Sequence, residues 1–392
     1  MTLRVLVVGG SIGGLSTALL LADLGLDVEV FERADAALQA RGAGIVVLPI
    51  TERYLVERAP DRDRVSLELR DWTYIDRQGR VLASDADHYR FAGWSSIYSA
   101  LLDAFDRERY HLDAAMVDLD RDDDGATVHL HDGRTVTGDL LVAADGIGST
   151  ARTLLLPDVG PMYAGYVAWR GVIDEAQLSA GAREQLADAM LYQILDDGHI
   201  LAYAIPRADG ATAPGQRTIN VVWYRNYAAG AELDDLMTGR DGRRWATTVP
   251  PGQIRDDHLA EMRTRADTAL APTFAELMTS CHRPMIQAIA DLEVPKMVFG
   301  RVCLLGDAAF GLRPHLAAGQ AKACADAWAL HDALRDADLD VDTALARWQR
   351  SQLALGRSAV ERTRRMGVRS QFEHTMVPGD PTWKFGLWRP GV

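Results

Sequence analysis

One glutamate, two aspartates and a glycine-rich hexapeptide are the residues of this sequence whose types and spacing point to chemistry. Gly9-Gly10-Ser11-Ile12-Gly13-Gly14 lies between a short β-branched run and a helical stretch. Unpaired backbone N–H groups and the positive end of a helix there can receive a pyrophosphate. Glu32 follows 18 residues after Gly14, about where an acid accepts hydrogen bonds from a ribose in dinucleotide sites. Asp145-Gly146 ends a second apolar run, DLLVAADG, and Gly306-Asp307 ends a third, VCLLGD. An ionised carboxylate is acceptor-only, so it can serve several hydroxyl donors at once. Ser11 stands where the usual fingerprint has its middle glycine, which the turn tolerates only if the backbone keeps negative φ.

Elements that must position these groups follow from periodicity. Arg4 to Val8 reads as a strand, Leu15 to Leu24 as a helix ending at Gly25, and Asp27 to Glu32 as a second strand; strand, helix, strand is the unit of a parallel sheet. Segments 68–90 and 165–226 differ, with WTYIDRQGRVLAS, YVAWRGVI, GHILAYAIP and TINVVWYRN reading as strands rich in aromatic and β-branched residues. The polar stretch from Ala228 to Pro250 reads as a surface excursion. From Ala321 to about Val368 the pattern is helical, interrupted near Asp336 to Asp342, and the face carrying Arg357, Arg362, Arg364, Arg365 and Arg369 reads as solvated. The aromatic tail GDPTWKFGLW is expected to pack on the body, because free tryptophans are costly in water.

With 392 residues the chain suits two domains or one with an insertion. Hydrophobic residues make up 48% and charged residues 25%, a globular balance, and the net charge of −13 is spread along the chain. Nucleic acid and anionic membranes are therefore poor partners. Cys281, Cys303 and Cys324 form no CxxC pair and have no histidine at ligand spacing, so neither a disulfide framework nor a zinc site is indicated. The first apolar run is only five residues long, too short for a signal segment or a membrane span, and the expected location is the cytoplasm.

The three motifs, in this order near positions 9, 145 and 307, resemble those of the single-component FAD-dependent aromatic hydroxylases, the family of p-hydroxybenzoate hydroxylase. GIVVLP, SIYSALLDAF, YAGYVAWRG, LDDGHILAYAIP, AAGQAKA and GDPTWKFGL extend the likeness from residue 5 to 388, nearest to members that hydroxylate a dihydroxypyridine. The chain departs from the wider family at Phe310, where His is usual after Gly-Asp-Ala-Ala. It departs again at Ala317 and Ala321, where Gly and Asn are usual, and near Trp94 to Ser96, where an Arg usually opens a helix.

The resemblance implies an α/β fold. A Rossmann-like FAD-binding domain with a parallel sheet (1–67, 91–164 and 291–370, with the C-terminal helices) would carry an inserted, mostly antiparallel substrate domain (68–90 and 165–290), and 371–392 would be a packed tail. It implies FAD held by Gly9 to Gly14, Glu32, Arg33, Val46, Asp145, Gly146, Asp307, Pro314, Ala318, Gly319 and Gln320, with Asp307 on the ribityl chain and Glu32 on the adenosine ribose. Glu32→Gln, keeping an acceptor, is then expected to be milder than Glu32→Ala. No second Gly-rich unit is present for NADH or NADPH, which would dock transiently to reduce FAD. Oxygen captured as a flavin hydroperoxide would then pass to an electron-rich hydroxylated ring such as a hydroxypyridine. A homodimer is compatible with this reading.

A ring hydroxyl reacts better as its anion, so a base or acceptor is expected beside it. On GHILAYAIP the period of two aims His199 and Tyr203 the same way, and on TINVVWYRN it groups Asn220, Tyr224 and Asn226. His199, Tyr203, Tyr224 and His315, the last beside Pro314, are the candidate catalytic residues. An unperturbed imidazole among them would titrate near ~6.5. Trp169-Arg170-Gly171 reads as an anchor of the sheet, its Arg structural. A flavin oxidase or Baeyer–Villiger-type oxygenase shares the same motifs, and a non-catalytic FAD-fold protein is the alternative from another class; a yellow purified protein separates the last from the others.

Overall fold

The computed structural model describes residues 3–38, 43–58, 65–336 and 340–388. The chain opens with β1 (Arg4–Val8), α1 (Ile12–Asp23) and β2 (Asp27–Phe31), the unit expected from periodicity. β3 (Gly44–Val47) and α2 (Pro49–Arg58) lead to the long hairpin β4 (Ser66–Ile75) and β5 (Val81–Gly93), then α3 (Trp94–Ala104) and β6 (Tyr110–His111). A small meander, β7 (Met116–Arg121), β8 (Ala126–Leu130) and β9 (Thr135–Gly138), precedes β10 (Leu140–Ala143) and α4 (Thr150–Leu155). Four strands follow, β11 (Met162–Asp174), β12 (Ala189–Leu195), β13 (Gly198–Ile205) and β14 (Thr218–Asn226), with α5 (Ala180–Gln185) after the first. Next come α6 (Ala231–Leu236), β15 (Thr248–Val249), α7 (Asp256–Ala269), α8 (Pro272–Ser280) and β16 (Met285–Glu293). β17 (Val298–Phe299), β18 (Val302–Leu304), β19 (Phe310–Gly311), α9 (Gly319–Arg335) and α10 (Val341–Gln371) complete the described elements.

Among the described residues one sheet runs β17-β18-β10-β1-β2-β6, parallel except at β17, and its central strands β1, β10 and β18 are nearly continuous apolar runs because both faces are covered. A larger sheet runs β15-β16-β11-β14-β13-β12-β4-β5-β3, antiparallel except where β12 meets β4. This is the expected α/β architecture of a parallel-sheet half and a mostly antiparallel half. The larger sheet also takes in β3 and the ends of β4 and β5, so it reaches into stretches that the sequence reading placed in the cofactor domain. β3 pairs with β5 at the boundary between the halves, which a propensity reading of four residues could not place.

Two other expectations change. The stretch 228–250 is not a free excursion, because α6 buries Leu236 and Met237 in the core of the larger half. The basic face of α10 is not simply solvated: Arg369 pairs with Asp380 (2.6 Å), Arg362 donates to the Lys384 and Gly386 carbonyls, and Arg364 reaches Asp291 (3.1 Å). Arg362 and Arg369 hold the tail that follows, and Arg364 ties α10 to β16. Trp383, Phe385 and Leu387 are buried, each worth roughly 1.5–3 kcal/mol of apolar burial, while Trp388 stays exposed. The tail therefore packs as expected over its described part; residues 389–392, and 337–339 within the helix interruption, lie outside the described residues.

Candidate active site

The glycine-rich turn closes because its backbone approaches other backbone too closely for side chains. A Cβ on Gly9, whose φ is +99°, would stand 2.3 Å from the Ala144 carbonyl oxygen, and one on Gly14 would stand 1.8 Å from that of Gly9. Ser11 is the residue before α1, with φ −77°, so the replacement of the middle glycine meets the condition of negative φ. Glu32 is buried, and both its oxygens accept backbone N–H groups, Gly10 at 2.8 Å and Ala34 at 2.9 Å. Each oxygen keeps a lone pair for a further donor. Gly10 and Gly14 do not line the three cavities along this sheet edge; their lack of a side chain lets the turn close.

Three cavities share walls along this edge of the parallel sheet. The first, about 550 Å3, is lined by Gly9, Ser11, Glu32, Arg33, Asp145 and Gly146 among others. The second, about 130 Å3, shares Ser11 and Gly146 with it and adds Ile12, Gly13, Asp307, Gly319 and Gln320. The third, about 220 Å3, shares Asp307, Gly319 and Gln320 with the second and adds Val46, Pro314 and Ala318. Trp94 lines the first two, on the helix where the wider family usually carries Arg. The result is an elongated path from the β2 end to the larger sheet.

Two carboxylates on this path have their pKa raised by desolvation. Asp145 accepts the Ala151 N–H at 3.2 Å, its Oδ1 is buried without a partner among the described residues, and burial pushes its carboxyl above the ordinary range. Asp307 is exposed where it lines the second and third cavities. Desolvation lifts its carboxyl to about 6, opposed by the charge of Lys322 and aided by that of Asp326. The turn that carries it is pinned from behind by the fully buried Asp326, which accepts the Gly306 N–H at 2.9 Å and pairs with Lys322 at 2.5 Å. Sequence reasoning missed this pair; its signal was an i,i+4 Lys/Asp in an otherwise apolar helix. Phe310 is buried against Gly356, off the cavity walls, and Lys322 Nζ lies 5.0 Å from its ring.

All four candidate catalytic residues line the third cavity. His199 and His315 stand with ring centroids 5.4 Å apart, and Tyr224 lies 4.7 and 5.1 Å from them. His199 Nδ1 meets the Ser370 hydroxyl at 2.6 Å, and His315 Nε2 meets that of Tyr166 at 2.6 Å. The expectation of an unperturbed imidazole is corrected here. Burial lowers His199 to about 3, and burial, His199 and Arg313 lower His315 well below its ordinary value, so both rings are neutral near pH 7. Burial likewise raises Tyr203 and Tyr224. Asn220 accepts the Gly44 N–H (2.8 Å) and Asn226 donates to the Gln371 carbonyl (2.7 Å), while Asn220 Nδ2 and Asn226 Oδ1 are buried without partners among the described residues.

Residues not offered as site residues by sequence complete the wall: Arg170 from β11, Gln287 from β16, and Trp383 and Phe385 from the tail. Arg170, read as structural, faces this cavity, because β11 alternates and the register sets Arg170 opposite Val222 and Ala168 opposite Tyr224. Trp383 stands edge-on to both histidine rings at 6.1 Å.

Comparison with known proteins decides what the path holds. A family profile described as FAD binding domain-like matches residues 163–291. The 2,6-dihydroxypyridine 3-monooxygenase of Paenarthrobacter nicotinovorans is 37% identical, across 98% of this chain and 96% of its own. The chain belongs to the FAD-dependent aromatic hydroxylases. The solved 2,6-dihydroxypyridine-3-hydroxylase of Arthrobacter nicotinovorans superposes with a TM-score of 0.94 at 36% identity, covering 100% of this chain and 99% of that one. The 6-hydroxynicotinate 3-monooxygenase of Bordetella bronchiseptica is 27% identical over 98% of this chain and 94% of its own. FAD is thus the cofactor and monooxygenation the class of reaction, which sets aside the non-catalytic alternative. The residues present fit that cofactor: a turn whose glycines leave no room for a Cβ, acceptors at Glu32 and Asp307, and an unpartnered buried oxygen on Asp145.

Proposed function

We propose that this hydroxylase uses NADH or NADPH and O2 to insert one oxygen atom into a small hydroxylated N-heteroaromatic ring, a hydroxypyridine such as 2,6-dihydroxypyridine. The observation that carries the reading is the third cavity. At about 220 Å3 it is smaller than typical drug-sized sites, and its walls set tyrosines, neutral histidines and one arginine among aliphatic side chains such as Leu201, Val222 and Ile289. A single polar ring fits such a wall, and the relatives named above for hydroxypyridine and hydroxynicotinate substrates support the assignment.

FAD, when bound, supplies the oxygen-transferring chemistry. The chain's share is to bind and orient. Ser11, Ile12 and Gly13 would meet the FAD pyrophosphate at the start of α1, Glu32 would accept from the adenosine ribose, and Asp307 would accept from the ribityl hydroxyls. His199, His315, Tyr203 and Tyr224 direct hydrogen bonds at the ring substituents, and Trp383 and Phe385 close the cavity against water, which limits wasteful release of peroxide. Among the described residues no helix is long and apolar enough to cross a membrane. The three cysteines are free and buried, consistent with work in a reducing cytoplasm.

Purified holoenzyme incubated with O2, NADH or NADPH, and a panel of hydroxypyridines, hydroxynicotinates and hydroxybenzoates tests the assignment. Coupled product formation is expected with hydroxypyridines, and peroxide without product from that class overturns it.

A further inference from the structure

We propose that Arg170 holds the substrate ring as its anion, with the ionised ring oxygen seated at the Arg170 guanidinium beside the hydroxyls of Tyr203 and Tyr224. The inference rests on the hydroxylase reading above and adds the charge state in which the ring is bound.

Other buried arginines among the described residues are matched by carboxylates or carbonyls, although Arg313 keeps one buried nitrogen, Nη1, without a partner. Arg217 forms two side-chain bonds to Glu175 (2.5 and 2.9 Å), Arg313 forms two to Asp291 (2.8 and 2.7 Å), and Arg152 donates to three backbone carbonyls. Arg170 has no ion pair among the described residues, and its Nε is buried without an acceptor. Among the described residues the only carboxylate on the walls of its cavity is Asp307, at the end shared with the cofactor path. A partly buried guanidinium lacking a counter-ion is costly unless a ligand brings one.

What surrounds Arg170 leaves it to supply the charge. Its neighbours on the cavity are Tyr192 and His199 from the β12–β13 hairpin, Tyr203 from β13, Tyr224 from β14, His315 from the turn after β19, and Asp307. The histidines are neutral and the phenols protonated near pH 7, for burial disfavours the charged form of each. Arg170 is the one permanent cation lining this cavity among the described residues. Its field acts on both phenols, opposing their burial, so it acts equally on a ring hydroxyl placed beside them. Two further buried atoms on the wall, Trp383 Nε1 and His315 Nδ1, also lack partners. The indole is a donor only, and a neutral imidazole can donate from that nitrogen. A wall of unmatched donors recognises an oxyanion. In chemical terms the ring O–H bond breaks, its proton leaves to solvent, and the electron pair stays on the ring, which becomes the better nucleophile without a strong base in the cavity.

The test uses holoenzyme with oxidised FAD and no nicotinamide, so that nothing turns over. The ultraviolet difference spectrum of bound 2,6-dihydroxypyridine, which reports its ionisation, is titrated against pH for wild type, Arg170→Met and Arg170→Lys. Wild type should lower the apparent pKa of the bound probe by at least about one unit relative to free probe, a tenfold preference for the anion. Arg170→Met should abolish that shift and weaken binding about tenfold or more with flavin content unchanged, and Arg170→Lys should restore part of it. An unchanged shift in Arg170→Met overturns the proposal, as does loss of the shift in His199→Gln or His315→Gln with Arg170 intact. A hydroxybenzoate arm separates this idea from the substrate reading. If wild type binds only hydroxybenzoates, and Arg170→Met loses them, the anchor stands and the hydroxypyridine assignment falls. Binding of neither probe class overturns both.

Discussion

Mild acid should destabilise this fold through His199 and His315. Both rings are buried and neutral, His199 with its pKa lowered to about 3 from the ordinary 6.5 and His315 lowered well below it. In the unfolded chain each imidazole takes a proton as pH falls through about 6.5, while the folded chain does not. The unfolded state then binds more protons, so stability rises with pH between about 3 and 6.5 and is lost on acidification. Between about pH 7.5 and 5.5 one such group costs about 1.4 kcal/mol, and the pair about 2.7 kcal/mol. Other groups respond too, and some oppose: Asp307 and Asp145, raised by burial, favour the folded state as they take up protons. The quantity to measure is therefore a difference. Urea unfolding of wild type, His199→Gln, His315→Gln and the double variant, at fixed excess FAD and at both pH values, cancels every shared group. The single variants should lose about 1.4 kcal/mol less than wild type on acidification and the double variant about 2.7 kcal/mol less, although each starts lower for want of its bond to Ser370 or Tyr166. Equal losses in wild type and the double variant would refute the argument that burial holds these rings neutral.

FAD affinity should weaken as pH falls through about 6, where the Asp307 carboxyl takes a proton and loses acceptor capacity; flavin fluorescence titration of wild type against Asp307→Asn reads this, and identical pH profiles would remove Asp307 from the cofactor site. Glu32→Gln should damage FAD binding nearly as much as Glu32→Ala, contrary to the milder effect expected from sequence. Both Glu32 oxygens accept backbone N–H groups, so an amide sets a donor against a donor at a cost of about 1–3 kcal/mol; full FAD retention in the Gln variant counts against this. Ala317 adopts left-handed φ +52°, which costs a non-glycine residue roughly 1–2 kcal/mol. Ala317→Gly should therefore raise the thermal midpoint modestly, by a net ~0.5–1 kcal/mol after glycine's unfolded-state entropy; a fall in the midpoint would contradict it.

What the sequence determined by itself is local. The strand, helix, strand unit around Gly9 to Gly14 is recognisable from periodicity and glycine spacing, although the exclusion that demands Gly9 comes from Ala144, far along the chain. The alternation of GHILAYAIP likewise placed His199 and Tyr203 on one face before any partner strand was known, since a strand's side chains alternate whatever it pairs with. Tertiary structure decided which face meets the cofactor, and what each group becomes there. Arg170 and Arg225 are both strand arginines in the sequence, yet one lines the cavity and the other pairs with Glu261 (2.6 Å). Trp383 reaches the histidines because Arg362 and Arg369 hold a tail roughly 180 residues distant in the chain from His199. The histidines themselves read as ordinary bases until burial among aromatic rings removed the water that would solvate their cations. Ionisation state and the direction of a face depend on everything packed around a residue, and segments far apart in the chain supply that packing.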